Sequence, residues 1–122
     1  MADNAHTNLV RAALVELSSR GHLAWDNQTG AGWVGKFITR TAAGRTILDS
    51  ARPISFGLPG SADIIGVLQG GLPLAAEAKT GTGRQRKNQQ AFQAAWEKRG
   101  GIYVVFHSVD ELIGMICDRI AA

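Results

Sequence analysis

The chain has 122 residues, 45% of them hydrophobic and 19% charged, with 15 glycines and 13 Lys+Arg against 10 Asp+Glu, a formal net charge of +3. That length and composition lead us to expect one compact domain over residues 1–122 and exclude a disordered chain. The lone Cys117 and the scattered His6, His22 and His107 exclude disulfide scaffolds and structural zinc folds. No apolar run approaches the roughly 20 residues of a membrane span, and MADNAHTN has no signal-peptide character, so a cytoplasmic protein with no membrane partner is expected.

Residues 7–20 read as an amphipathic helix carrying Val10, Ala13, Leu14 and Leu17 on one side, with Gly21 as its stop. Residues 25–33 read as a turn-rich loop and 34–40 as a strand. Residues 41–60 hold Gly44, Pro53, Gly57, Pro59 and Gly60 and read as a loop or ragged strand. The runs ADIIGVL and LAAEAK flank a Gly-Gly turn and predict a hairpin. Gln85, Gln89, Phe92 and Trp96 share one face of a helix over 85–99, closed by Gly100-Gly101. A buried strand at 102–106 and a helix at about 109–120 complete the order α-β-β-β-α-β-α, a small α/β layer fold. Cys117 is expected on the buried side of that last helix, and His107 on the surface.

The hairpin holds an anomaly, because a carboxylate in an apolar strand is costly unless something compensates it. With the turn centred on Gly70, Asp63 and Glu77 stand directly opposite each other, and two like charges at that separation repel. A divalent cation relieves the conflict. Lys79 follows Glu77 by two residues and so shares its strand face. Two hard carboxylates beside a lysine suit Mg²⁺ or Mn²⁺ and phosphodiester hydrolysis, while a purely structural ion pair is the alternative. Gln89, on the face of Phe92 and Trp96, directs its amide toward this patch.

Residues 78–99 carry Lys79, Arg84, Arg86, Lys87, Lys98 and Arg99 against Glu97 alone, a local charge of +5. Arg84, Arg86 and Lys87 fall at a helix start, where the macrodipole disfavours cations, so a bound phosphate is the expected compensation. No nucleotide-binding glycine fingerprint, Walker A motif or serine-hydrolase elbow is present.

Taken in order, Gly60-Ser61-Ala62-Asp63-Ile64-Ile65-Gly66, Glu77-Ala78-Lys79, Gly83-Arg84-Gln85 leading to Gln89, and Gly100-Gly101-Ile102-Tyr103-Val104-Val105 resemble the VRR-NUC family of the PD-(D/E)xK nuclease superfamily. Trp25-Asp26-Asn27-Gln28-Thr29-Gly30 is similar to that family's Trp-Arg-Asn-Asn-Thr-Gly stretch. The resemblance covers nearly the whole chain and implies a restriction-endonuclease-like α/β core, a central mixed β-sheet flanked by helices. It implies Asp63, Glu77 and the Ala78 carbonyl as ligands of Mg²⁺ or Mn²⁺, Lys79 as the catalytic lysine and Gln89 as a supporting amide. It further implies a homodimeric enzyme of bacterial or phage type, similar to Holliday junction resolvases, acting on structured or branched DNA.

Two departures stand out. The family's first-helix Glu is missing, leaving His6 (inward-facing if the helix starts early) or Glu16 as substitutes, and Asp26 replaces a basic residue. The expected function is therefore a metal-dependent deoxyribonuclease, with a non-catalytic nucleic-acid-binding module on the same fold as the alternative. A purely structural domain leaves Asp63, Glu77 and Lys79 unexplained.

Overall fold

The computed structural model describes residues 4–121. In chain order the elements are α1 (Asn4–Ser19), β1 (Leu23–Asp26), β2 (Gly30–Arg40), β3 (Thr46–Phe56), β4 (Ile64–Val67), β5 (Pro73–Ala78), α2 (Lys87–Lys98), β6 (Ile102–Phe106) and α3 (Val109–Ala121). They form two compact units: the ribbon Gln28–Leu58, and the rest of the chain on either side of it.

The larger unit is built on a four-stranded mixed sheet in the order β1-β4-β5-β6. The first two pairings are antiparallel, and β5 runs parallel to β6. Parallel neighbours need a crossover connection, and the segment containing α2 supplies it. The β4/β5 register is the one expected from a turn centred on Gly70, with Ile64 opposite Ala76 and Val67 opposite Pro73.

Strand β5 is buried from Leu74 to Ala78, as a central strand covered on both faces must be. On one face Leu74, Ala76, Ile102, Val104 and Phe106 pack against Val10, Ala13 and Leu17 of α1 and Leu112, Ile113 and Ile116 of α3. On the other, Ala75 and Tyr103 meet Phe92 and Trp96 of α2. Gly101 is obligatory here, because a Cβ would run into the Trp96 indole. That indole donates its N–H to the Ile102 carbonyl at 3.0 Å, fixing α2 on the sheet.

Several expectations are corrected. Helix α1 begins by Asn4 rather than residue 7, and a strand, β1, lies where a loop was expected. It exists because Gly66 lets β1 approach closely: a Cβ there would collide with the Leu23 carbonyl and Ala24. Helix α2 starts at Lys87, two residues later than its apolar face suggests. Cys117 is exposed, as is Ile120, because Leu112, Ile113 and Ile116, with Val109 partly buried beside them, form the face of α3 that meets the core.

The ribbon contains the strand expected at 34–40, which starts earlier, at Gly30, and a second regular strand in the stretch read as a loop or ragged strand. Strands β2 and β3, 11 residues each, pair antiparallel from Gly30 opposite Phe56 to Arg40 opposite Thr46, with register shifts after Val34 and Phe37. The first shift contains Ser50 at φ 53, an uncommon conformation for a non-glycine residue that β-bulges accommodate. No residue of either strand is buried.

Candidate active site

Asp63 is held just before β4 by its backbone, whose carbonyl accepts the Asn27 N–H at 2.7 Å. The Asn27 amide also donates to Ser61 Oγ and to the Ala62 carbonyl, both at 2.8 Å. The end of β1 thereby fixes the 61–63 turn and aims the Asp63 side chain. Asp63 Oδ2 accepts the Ala78 N–H at 2.9 Å, which docks the carboxylate on the end of β5. The same oxygen lies 3.2 Å from His6 Nε2, projected from the first turns of α1.

Glu77 lies one residue before Ala78 and is only 1% exposed. Its Oε1 accepts the Tyr103 hydroxyl at 3.3 Å, whereas its buried Oε2 has no hydrogen-bond partner. Lys79 Nζ stands 3.5 Å from Oε2, an ion pair too long for a good hydrogen bond. Burial raises the Glu77 pKa above the ordinary carboxylate range, Lys79 opposes that shift and the nearby Asp63 charge adds to it. Burial likewise raises the Tyr103 hydroxyl above its usual value, so it remains a proton donor toward Glu77.

Lys79 is fixed from its other side. Its Nζ donates to Gln89 Oε1 at 3.3 Å, and that oxygen also accepts the Arg86 N–H at 2.7 Å. One side chain thus closes the start of α2 and orients the lysine. His6, Asp63, Ala78, Lys79, Arg86 and Gln89 line a single open cleft of about 270 Å³, with Glu77 outside its lining. Arg84 and Lys87 are exposed beside it in sequence.

Asp63, Glu77, Ala78, Lys79, Arg86 and Gln89 therefore come together around one end of β5, whereas Arg84 and Lys87 lie outside the cleft lining. Glu16 is not among them, since it pairs with Arg20 at 2.7 Å on the exposed side of α1. Sequence reasoning assigned no role to Asn27 or Tyr103. Their contacts span 35 and 26 residues, and no local periodicity reveals such a pair.

Among the described residues no three His, Cys, Asp or Glu side chains form a ready-made metal cage. A smaller ligand set is present. The Glu77 oxygen that accepts no hydrogen bond, the Asp63 carboxylate and the neighbouring Ala78 carbonyl are hard oxygen donors of the kind that serve Mg²⁺ or Mn²⁺, which bind with few protein ligands and keep several waters. The donor chemistry fits such an ion.

A mixed sheet with helices on both faces, α1 and α3 on one and α2 on the other, is consistent with a restriction-endonuclease-like fold. More particularly, the chain has the fold of a solved VRR_NUC domain, with a TM-score of 0.58 at 18% identity, over 92% of this chain and 97% of that one. No family model and no curated protein matches the sequence.

Proposed function

We propose that this chain is a VRR-NUC-type, metal-dependent deoxyribonuclease. The observation that carries the reading is the buried Glu77 carboxylate, whose Oε2 accepts no hydrogen bond and meets Lys79 only at 3.5 Å, with the Asp63 charge nearby. A purely structural ion pair would be expected to close to hydrogen-bond distance, because a buried acceptor left without a hydrogen bond costs about 1–3 kcal/mol. Asp63, Glu77 and the Ala78 carbonyl would hold Mg²⁺ or Mn²⁺. When bound, such an ion supplies Lewis-acid polarisation of a phosphodiester and lowers the pKa of a coordinated water.

The protein's own groups do the rest. Lys79, oriented by Gln89, places a positive charge where charge builds on the reacting phosphate. Arg84, Arg86 and Lys87 hold the backbone near the start of α2, where unpaired N–H groups favour an anion. His6 takes the place of the acidic side chain usual in this family's first helix, since it meets Asp63 while Glu16 does not. A homodimer acting on branched DNA is the form we propose, because paired sites suit paired cuts.

Cleavage of linear, flapped and four-way DNA, each with Mg²⁺, with Mn²⁺ and with chelator, tests the reading. Metal-dependent cleavage strongest on the four-way substrate is expected. Salt-sensitive binding without cleavage of any substrate would leave a non-catalytic nucleic-acid-binding module instead.

A further inference from the structure

The ribbon Gln28–Leu58 has no part in the site just described. It also lacks a core of its own: Trp33, Phe37, Ile38 and Ile47 are 67%, 61%, 57% and 43% exposed. An isolated two-stranded hairpin is marginally stable in water, so a ribbon this long with apolar side chains outward is a surface built to be covered. Its charge identifies the cover. It carries Lys36, Arg40, Arg45 and Arg52 against Asp49 alone, and this +3 equals the net charge of the whole chain, which is neutral elsewhere.

We propose that the ribbon is an arm that binds duplex DNA. The proposal rests on the reading of the chain as a DNA nuclease and adds a second contact surface to it. Lys36 is the register partner of Asp49, the ribbon's one acid, whereas Arg52 faces Val34 and Arg40 faces Thr46. From the Arg52 position to Arg40 is six residues along β2, or about 20 Å. Cations strung along a rod in this way suit the evenly charged phosphate backbone of a duplex. A two-stranded β-ribbon is also of a size that the DNA major groove admits, and exposed Trp33 and Phe37 offer apolar surface to sugars and bases. A second copy of the chain would bring like charge against like charge, which disfavours self-association through this face.

The test is the salt dependence of duplex binding in the presence of chelator, which stops cleavage. It compares the parent, Arg40→Ala/Arg45→Ala/Arg52→Ala, the matching triple Lys variant, and Arg84→Ala/Arg86→Ala/Lys87→Ala. Each phosphate contact contributes roughly 0.9 to the slope of log K against log salt. The ribbon Ala variant should lose about two to three units of slope and the Lys variant should keep them. The three arginines are exposed, so circular dichroism should show the fold unchanged. A ribbon variant with the parent's slope, beside an α2 variant that loses its own, overturns the arm and leaves the nuclease reading standing. A parent that binds no duplex overturns that reading together with the arm. An unchanged slope with altered sedimentation marks the ribbon as a self-association face and likewise overturns the arm.

Discussion

Gln89 and Lys79 are joined by a 3.3 Å hydrogen bond whose acceptor, Gln89 Oε1, is also bonded to the Arg86 backbone N–H. The start of α2 is thus connected to the ammonium that contacts Glu77. Gln89→Ala removes both bonds, at a cost of about 0.5–1.5 kcal/mol per bond in stability. In cleavage kinetics it should lower kcat by roughly tenfold while KM changes little, since Lys79 is mispositioned rather than lost. Equal effects on KM and kcat would make Gln89 a substrate-binding residue instead.

Asp63 plays two parts that a pair of substitutions separates. Asp63→Asn keeps an oxygen to accept the Ala78 N–H and removes the charge, so thermal stability should hold within a few degrees while Mn²⁺ affinity measured by calorimetry collapses. Asp63→Ala also strands the Ala78 N–H and should cost a further 1–3 kcal/mol or so. Equal melting temperatures for the two variants would show that the Ala78 bond contributes nothing.

Asn27 supplies three hydrogen bonds around the 61–63 turn, one from its backbone and two from its amide. Asn27→Ala keeps the backbone bond to Asp63 but removes both amide bonds, to Ser61 and Ala62, so it should destabilise the chain by about 1–3 kcal/mol and reduce metal affinity by loosening the turn that leads into Asp63. Retention of both properties would contradict that positioning role.

Stability should also depend on pH through Glu111 at the start of α3. The His107 N–H donates to its Oε1 at 2.6 Å and the His107 ring lies alongside, so its pKa falls below the ordinary 4.5. A depressed carboxylate contributes stability that is fully present above the unfolded value and lost as pH falls through the folded one. The melting-temperature gap between the parent and Glu111→Gln should therefore be small but measurable at pH 7 and shrink below about pH 4. A gap constant down to pH 3 would exclude the linkage.

Much of the larger unit was legible because its signals are local. Gly70 set the β4/β5 register, and the spacing of Gln85, Gln89, Phe92 and Trp96 set the face of α2 that meets the sheet. The ribbon was legible only at 34–40. Its strands bury nothing, so no alternation of apolar and polar residues marks the rest of them, and Pro53 reads as a breaker although an edge position accommodates it. The placement of His6 depended on where α1 begins, and helix starts are poorly fixed by sequence when no strong cap is present. Asn27 and Tyr103 act across the fold, through contacts that only the assembled sheet creates.

The central claim is that the buried Glu77 carboxylate exists to serve a divalent ion. The most direct measurement is Mn²⁺-dependent DNA cleavage by Glu77→Gln beside the parent, at matched protein concentration. Gln preserves the side chain's size and its contact with Tyr103 while removing the buried charge, so the variant should fold at least as stably as the parent. The account predicts cleavage reduced by at least a hundredfold in a folded protein that still binds DNA. Cleavage at the parent's rate would contradict it.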